Sequence, residues 1–115
     1  MINWIPIQDI SQVEEIKAYS GQVPCIIFKH STRCSISTVA KYRLEGDWDV
    51  PEEAARVYFL DLIAYRDVSN YIGETFAVYH ESPQVLLIRG GECVFDASHL
   101  DISAPELREM IGVSV

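Results

Sequence analysis

The chain has no long apolar run and no excess of basic residues. None of its apolar stretches approaches the roughly 18 residues of a membrane-spanning helix, and its first residues, MINWIP, lack the basic start and apolar run of a secretion signal. Its 17 acidic residues outnumber its 9 lysines and arginines, which gives a net charge of -8. Because phosphate-rich partners require a basic surface, we expect a cytoplasmic protein that binds neither nucleic acid nor membranes.

Cysteine is also scarce. The chain has three, Cys25, Cys34 and Cys93, and their number and spacing match neither a disulfide framework nor a zinc site. Such an unpaired set is typical of a reducing compartment. We expect Cys25 and Cys93 to be buried apolar residues rather than disulfide partners of Cys34. With 115 residues, 49% of them hydrophobic, the sequence predicts one domain over residues 1–115, with no metal and no bound cofactor.

One long interval contains no acidic residue. It runs from Glu15 to Glu45 and holds a cluster of cations, namely Lys17, Lys29, His30, Arg33, Lys41 and Arg43. Two explanations stay open. Buried elements exclude carboxylates in general, or the interval surrounds Cys34 with positive charge. The first explanation does not account for the three cations that come directly before Cys34.

Hydrophobic periodicity predicts alternating strands and helices. Continuous apolar runs predict covered strands, whereas apolar residues three or four apart predict helices. The Gly90-Gly91 pair predicts a two-residue hairpin turn, because both central positions of such turns need positive φ. The predicted elements are a helix over 9–19, a strand over 24–29, a helix over 34–46, a strand over 57–62, a helix over 67–78, strands over 84–89 and 92–96, and a helix over 103–112.

This order predicts an α/β fold with a mixed central sheet flanked by helices. Strands that alternate with helices are joined in parallel by right-handed crossovers, and the glycine hairpin adds an antiparallel edge. Without its first helix, the order of elements is that of the thioredoxin fold.

Cys34 is the main candidate for chemistry. It follows a strand and a tight polar turn and begins a helix, where unpaired N–H groups and the positive helix end favour a thiolate. Lys29, His30 and Arg33 add positive potential if their side chains point inward. Ser37 stands where a dithiol oxidoreductase has its second cysteine, so no local disulfide forms. Its hydroxyl either donates to the thiolate or satisfies a backbone group in the first helical turn.

The loop before the strand over 84–89 is the second candidate region. Pro83 opens this strand, a position where a covered sheet tolerates proline. A cis Ser82–Pro83 bond would turn the loop towards Cys34 and expose the backbone of Ser82 to an incoming chain. For His80 and His99, a role as ligand or proton relay and simple solvation both stay open.

Two stretches carry a family resemblance. They are FKHSTRCSIS, residues 28–37, and HESPQ, residues 80–84. Together they resemble the bacillithiol-system redox-active proteins, also called monothiol bacilliredoxin-like or YtxJ-type proteins, and the resemblance extends over nearly the whole chain. It implies a thioredoxin-like fold. It also implies that Cys34 and Ser37 are the catalytic residues and that Pro83 is a cis proline.

The resemblance further implies a monothiol thiol-disulfide oxidoreductase that removes bacillithiol from mixed disulfides of cytoplasmic proteins. Its partners would be bacillithiol, as co-substrate, and S-bacillithiolated proteins. The residues expected to contact substrate are Lys29, His30, Thr32, Arg33, His80, Ser82 and Pro83. Two alternatives remain: a monothiol glutaredoxin-like protein that uses another small thiol, although the Cys-Gly-Phe-Ser signature is absent, and a non-enzymatic thioredoxin-fold thiol sensor or adaptor.

Overall fold

The computed structural model describes residues 1–112 of the chain. These residues form a five-stranded sheet with helices on both faces. The strands are β1 (Trp4–Pro6), β2 (Cys25–His30), β3 (Arg56–Asp61), β4 (Gln84–Arg89) and β5 (Glu92–Ser98). The helices are α1 (Ile10–Tyr19), α2 (Ser35–Asp47), α3 (Arg66–Phe76) and α4 (Ala104–Ile111), with short 3-10 helices at Glu52–Ala54 and His99–Asp101. Among these residues no helix has the length and apolarity needed to cross a membrane. Residues 113–115 of the predicted domain lie outside the described part.

The central strand of the sheet is β2, because the strand order is β1-β3-β2-β4-β5. It runs parallel to β3 and antiparallel to β4, and all six of its residues are buried. Side chains alternate between the two faces of a strand. Ile26 and Phe28 therefore belong to the core cluster under α2 and α4, and Ile27 to the cluster under α1 and α3. The predicted mixed sheet flanked by helices is confirmed.

Single residues set the ends of several elements. Asp9 caps α1, since its carboxylate accepts a main-chain N–H of the first turn at 3.1 Å. Gly90 and Gly91 have φ values of 61° and 80° and form the predicted hairpin turn between β4 and β5. Ser103 caps α4 in the same way as Asp9 caps α1. These local signals explain why the predicted order holds from α1 to α4.

The sequence did not predict β1. Residues 4–6 are too few to show a periodic pattern, and they become a strand by pairing in parallel with β3, Trp4 beside Val57. The prediction for residues 67–78 also ran two residues too far. Helix α3 ends at Phe76 because Ala77 takes a left-handed conformation with φ 54°.

The C-terminal end of β2 and the N-terminal end of β4 lie side by side at the same end of the sheet. Lys29 pairs with Gln84, and because the strands are antiparallel, the next position places His30 opposite Pro83. Helix α2 begins at Ser35, after a short turn over residues 31–34. This end of the sheet therefore brings together the two candidate regions, namely the turn before Cys34 and the loop before β4.

Candidate active site

Cys34 is half-buried and is the N-cap residue of α2. Its main-chain nitrogen donates to the oxygen of Ser31 at 3.2 Å, and its oxygen accepts from Thr38 at the same distance. No side chain caps this helix end, and the first turn contains no acidic residue. Cys34 therefore lies at the end of α2 where the helix dipole is positive and the first main-chain N–H groups have no partner within the helix.

Ser37 is fully buried, with 0% exposure. Its Oγ accepts a hydrogen bond from the main-chain nitrogen of Ser31 at 3.1 Å and lies 2.7 Å from Nδ1 of His30. No hydrogen bond within residues 1–112 joins the side chain of Ser37 to Cys34. Of the two roles that the sequence left open for this hydroxyl, the contacts show the bond to the backbone.

His30 is 7% exposed, and its ring lies close to two aromatic side chains. The ring centroids are 6.0 Å from Phe28 and 5.4 Å from Phe59. Burial lowers the pKa of His30, with a further lowering by the charge of Lys41 that Asp61 opposes. The imidazole is therefore kept neutral at physiological pH, and its Nδ1 is occupied by Ser37.

Lys29 points to the other face of the sheet and is 0% exposed. Its ammonium donates to the main-chain oxygen of Ser69, in α3, at 3.3 Å. Burial lowers the pKa of Lys29 to about 8. Within the described residues no carboxylate forms an ion pair with it.

Arg33 and Thr32 are the exposed residues of the turn before α2. The main-chain nitrogen of Arg33 donates to Oγ of Ser31 at 3.4 Å, and its guanidinium has no ion pair in residues 1–112. Of the three cations that precede Cys34, Arg33 is therefore the one that reaches the surface.

The loop over residues 80–84 carries the cis Ser82–Pro83 bond. Pro83 is buried, and its oxygen accepts from the main-chain nitrogen of His99 at 2.9 Å. The side chain of Gln84 holds the loop by donating to the oxygen of Tyr79 at 2.9 Å. Ser82 differs from these residues. In the described part of the chain its buried Oγ has no hydrogen-bond partner, and its main chain makes no hydrogen bond.

His80 is exposed and lies beside Lys29 and Ser69 rather than beside Ser37. Its Nδ1 is 3.5 Å from Oγ of Ser69. Burial lowers the pKa of His80, and the positive charges of Lys29 and Arg66 lower it further. The carboxylate of Glu81 opposes this lowering, and the role of His80 as a ligand stays a prediction.

The other two cysteines are held as thiols. Cys25 is buried, donates to the oxygen of Val23 at 3.4 Å, and has its pKa raised by burial to about 11. Cys93 is half-buried, donates to the oxygen of Phe95 at 3.3 Å, and has its pKa raised by burial. Residues 1–112 contain no group of three or more His, Cys, Asp or Glu side chains placed to hold a metal ion.

The hydrogen bonds of Ser31 were not predicted from the sequence. Its backbone and side chain form hydrogen bonds with Cys34, Ser37 and Arg33, and Ser37 continues the series to His30. A serine in a polar turn carries no pattern that marks such a role. Only the return of α2 against the end of β2 brings its partners together.

Comparison with known proteins agrees with this geometry. A family model described as monothiol bacilliredoxin BrxC matches residues 5–107. A solved structure described as a proposed oxidoreductase with a thioredoxin fold is 30% identical, covers 92% of this chain and 91% of its own, and has a TM-score of 0.78. The thioredoxin of Malassezia sympodialis, described as an allergen, is 15% identical over 96% of this chain and 90% of its own, with a TM-score of 0.72. The thioredoxin of Trypanosoma brucei brucei is 13% identical over 96% of this chain and 93% of its own, with a TM-score of 0.71. The last two show the fold alone.

Proposed function

The chain belongs to the monothiol bacilliredoxin family, and on that premise we propose that Cys34 removes bacillithiol from mixed disulfides of cytoplasmic proteins. The observation that carries the proposal is a single half-buried cysteine at the start of α2, with buried Ser37 where a second cysteine would resolve a local disulfide. A nucleophile placed in this way exchanges disulfides only with other molecules. Thiol redox chemistry at a thioredoxin fold is the general activity of which this is one case.

The reaction consists of two thiol-disulfide exchanges. First, the Cys34 thiolate attacks the bacillithiol sulfur of the modified protein, a disulfide forms between Cys34 and bacillithiol, and the protein thiolate leaves with the electron pair. A second bacillithiol thiolate then attacks the bound bacillithiol sulfur, forms oxidised bacillithiol and releases Cys34 as thiolate. The proton of the second bacillithiol ends on the released protein thiol. Each step breaks one disulfide and forms one, so no further oxidant or reductant is needed.

Two surface features support binding of such a substrate. Ser82 has a main chain without hydrogen bonds in the described residues, which is available for pairing with the backbone of a modified protein. Arg33 and Thr32 are exposed beside Cys34, and a guanidinium there is suited to the carboxylates of bacillithiol. Lys29 and His30 are buried in this structure, so in the proposal Arg33 is the main cation for the ligand.

Intact-mass measurement after treatment with oxidised bacillithiol tests the proposal. We expect one bacillithiol adduct on the unmodified chain and on Cys93→Ser, and no adduct on Cys34→Ser. An undiminished adduct on Cys34→Ser would end the proposal. Turnover of an S-bacillithiolated reporter protein in large excess, with free bacillithiol present, then separates an enzyme from a sensor, because a sensor removes at most one equivalent.

A further inference from the structure

We propose that His30 is a positioning residue for Cys34 and acts through the hydroxyl of Ser37. The reaction it serves rests on the proposed function, but the arrangement itself is a property of the turn. His30 ends the central strand, Cys34 begins the helix, and Ser37 connects the two from the first turn of α2. The sequence predicted that His30 contacts substrate, whereas its contacts in the structure are with Ser37, Phe28 and Phe59.

A continuous series of hydrogen bonds joins the imidazole to the reactive cysteine. Nδ1 of His30 lies 2.7 Å from Oγ of Ser37, and this oxygen accepts the main-chain N–H of Ser31 at 3.1 Å. Ser31 in turn accepts the main-chain N–H of Cys34 on its carbonyl oxygen at 3.2 Å. The turn is therefore fixed at both ends, by the sheet through His30 and by the helix through Ser37.

The donor and the acceptor of the 2.7 Å bond between Ser37 and His30 follow from the other contacts of the Ser37 hydroxyl. Oγ of Ser37 already accepts from Ser31, and its own hydrogen has no acceptor in residues 1–112 other than Nδ1 of His30. Ser37 therefore donates to Nδ1, and the imidazole proton is on Nε2. This requires an unprotonated Nδ1, which agrees with the lowering of the His30 pKa by burial and by Lys41 against Asp61.

The consequence concerns the geometry at the sulfur. With Ser37 committed to His30, its hydroxyl does not donate to the Cys34 thiolate, so the free N–H groups at the start of α2 are left to stabilise that charge. Their direction depends on the turn that Ser37 holds. Loss of the acceptor at position 30 frees the hydroxyl and loosens the turn, and we expect Cys34 to react more slowly.

Three variants at position 30 test the role of the acceptor. The measured quantity is the second-order rate of Cys34 alkylation by iodoacetamide, which does not depend on bacillithiol being the natural thiol. His30→Leu removes the acceptor, and we expect a decrease of about 3- to 10-fold, as for the loss of one hydrogen bond. In His30→Asn the amide oxygen stands where Nδ1 was, so the rate should recover, whereas in His30→Gln it is displaced by one bond and the rate should stay low. Equal rates in the Asn and Gln variants would contradict the proposal.

A double-mutant cycle separates positioning from the packing of His30 against Phe28 and Phe59. If His30 acts through Ser37, His30→Leu will not slow alkylation further in a Ser37→Ala background. If it slows both backgrounds equally, the effect comes from packing and the proposal fails. Thermal unfolding of each variant confirms that the folded protein is compared, and the ¹⁵N shifts of the His30 ring report the tautomer directly. A proton on Nδ1 would overturn the assigned direction.

Discussion

The ammonium of Lys29 lies 3.3 Å from the main-chain oxygen of Ser69 in α3, in a fully buried position without an ion pair among the described residues. An ammonium has three protons to donate, and a single acceptor satisfies one of them. One hydrogen bond replaces only part of the hydration that the ammonium loses, so burial lowers the pKa of Lys29 from 10.5 to about 8. Lys29 is therefore a cost to folding at neutral pH.

We predict that Lys29→Met stabilises the protein at pH 7, by about 1–3 kcal/mol. Between pH 8 and 10.5 the folded side chain releases its proton while the unfolded chain keeps it, so this residue makes stability rise with pH in that window. In Lys29→Met the rise in unfolding free energy between pH 8 and 10.5 should be smaller by about the same 1–3 kcal/mol. Urea unfolding across the window, with exposed Lys17→Met as control, measures the difference. Identical pH profiles for the unmodified chain and Lys29→Met would show that the ammonium is not penalised.

We predict that the folded chain has one fast-reacting thiol. At neutral pH, burial keeps Cys25 and Cys93 protonated, because it raises the pKa of both, to about 11 for Cys25, and the thiolate is the reactive form. Iodoacetamide followed by intact mass should give one rapid modification, which Cys34→Ser removes, and three in denaturant. Rapid modification of Cys93 in the folded protein would contradict the prediction.

We predict that Ser37→Cys converts the site from one thiol to two. Residues three apart in a helical turn have Cβ atoms about 5–6 Å apart, and small rotations bring their sulfurs into bonding distance. Treated with oxidised bacillithiol, the variant should lose two hydrogens and keep no adduct, because the introduced thiol displaces bacillithiol from Cys34. Ser35→Cys is the matched control, since adjacent side chains do not face each other. A stable adduct on both variants would exclude local resolution.

We predict that Arg33→Glu weakens the use of bacillithiol. Its exposed guanidinium is the surface cation beside Cys34, and an exposed ion pair contributes up to about 1 kcal/mol. The KM for bacillithiol should therefore rise about 2- to 5-fold at low salt, with a smaller change at high salt. Arg43→Glu, at an exposed position within α2, serves as control. If Arg33→Glu and Arg43→Glu raise the KM equally, the effect comes from the net charge of the protein and not from a contact between Arg33 and bacillithiol.

The sequence predicted the four α-helices and strands β2 to β5, because each of these elements carries its own signal. The apolar run of β2, the Gly90-Gly91 turn and the caps Asp9 and Ser103 are local features, and all appear in the structure. Strand β1 has no local signal. Its three residues depend on β3, which is more than 50 positions away.

The candidate site divides in the same way. Cys34 at the start of a helix and the absence of a second cysteine at position 37 were readable from spacing. Which side chains point inward was not, because alternate residues of a strand face opposite sides of the sheet. Lys29 and His30 are neighbours in sequence, yet one contacts α3 and the other contacts α2.

The kind of fold and the position of Cys34 at the beginning of a helix followed from the sequence, since these depend on residue types and short spacings. Two features followed only from the packing of the folded chain: Ser37 bonds to His30 and Ser31, and Arg33 alone of the three cations before Cys34 is exposed. The reason is that hydrogen-bond partners and burial depend on how α2 and α3 pack against opposite faces of β2, and no local pattern in the chain specifies that packing.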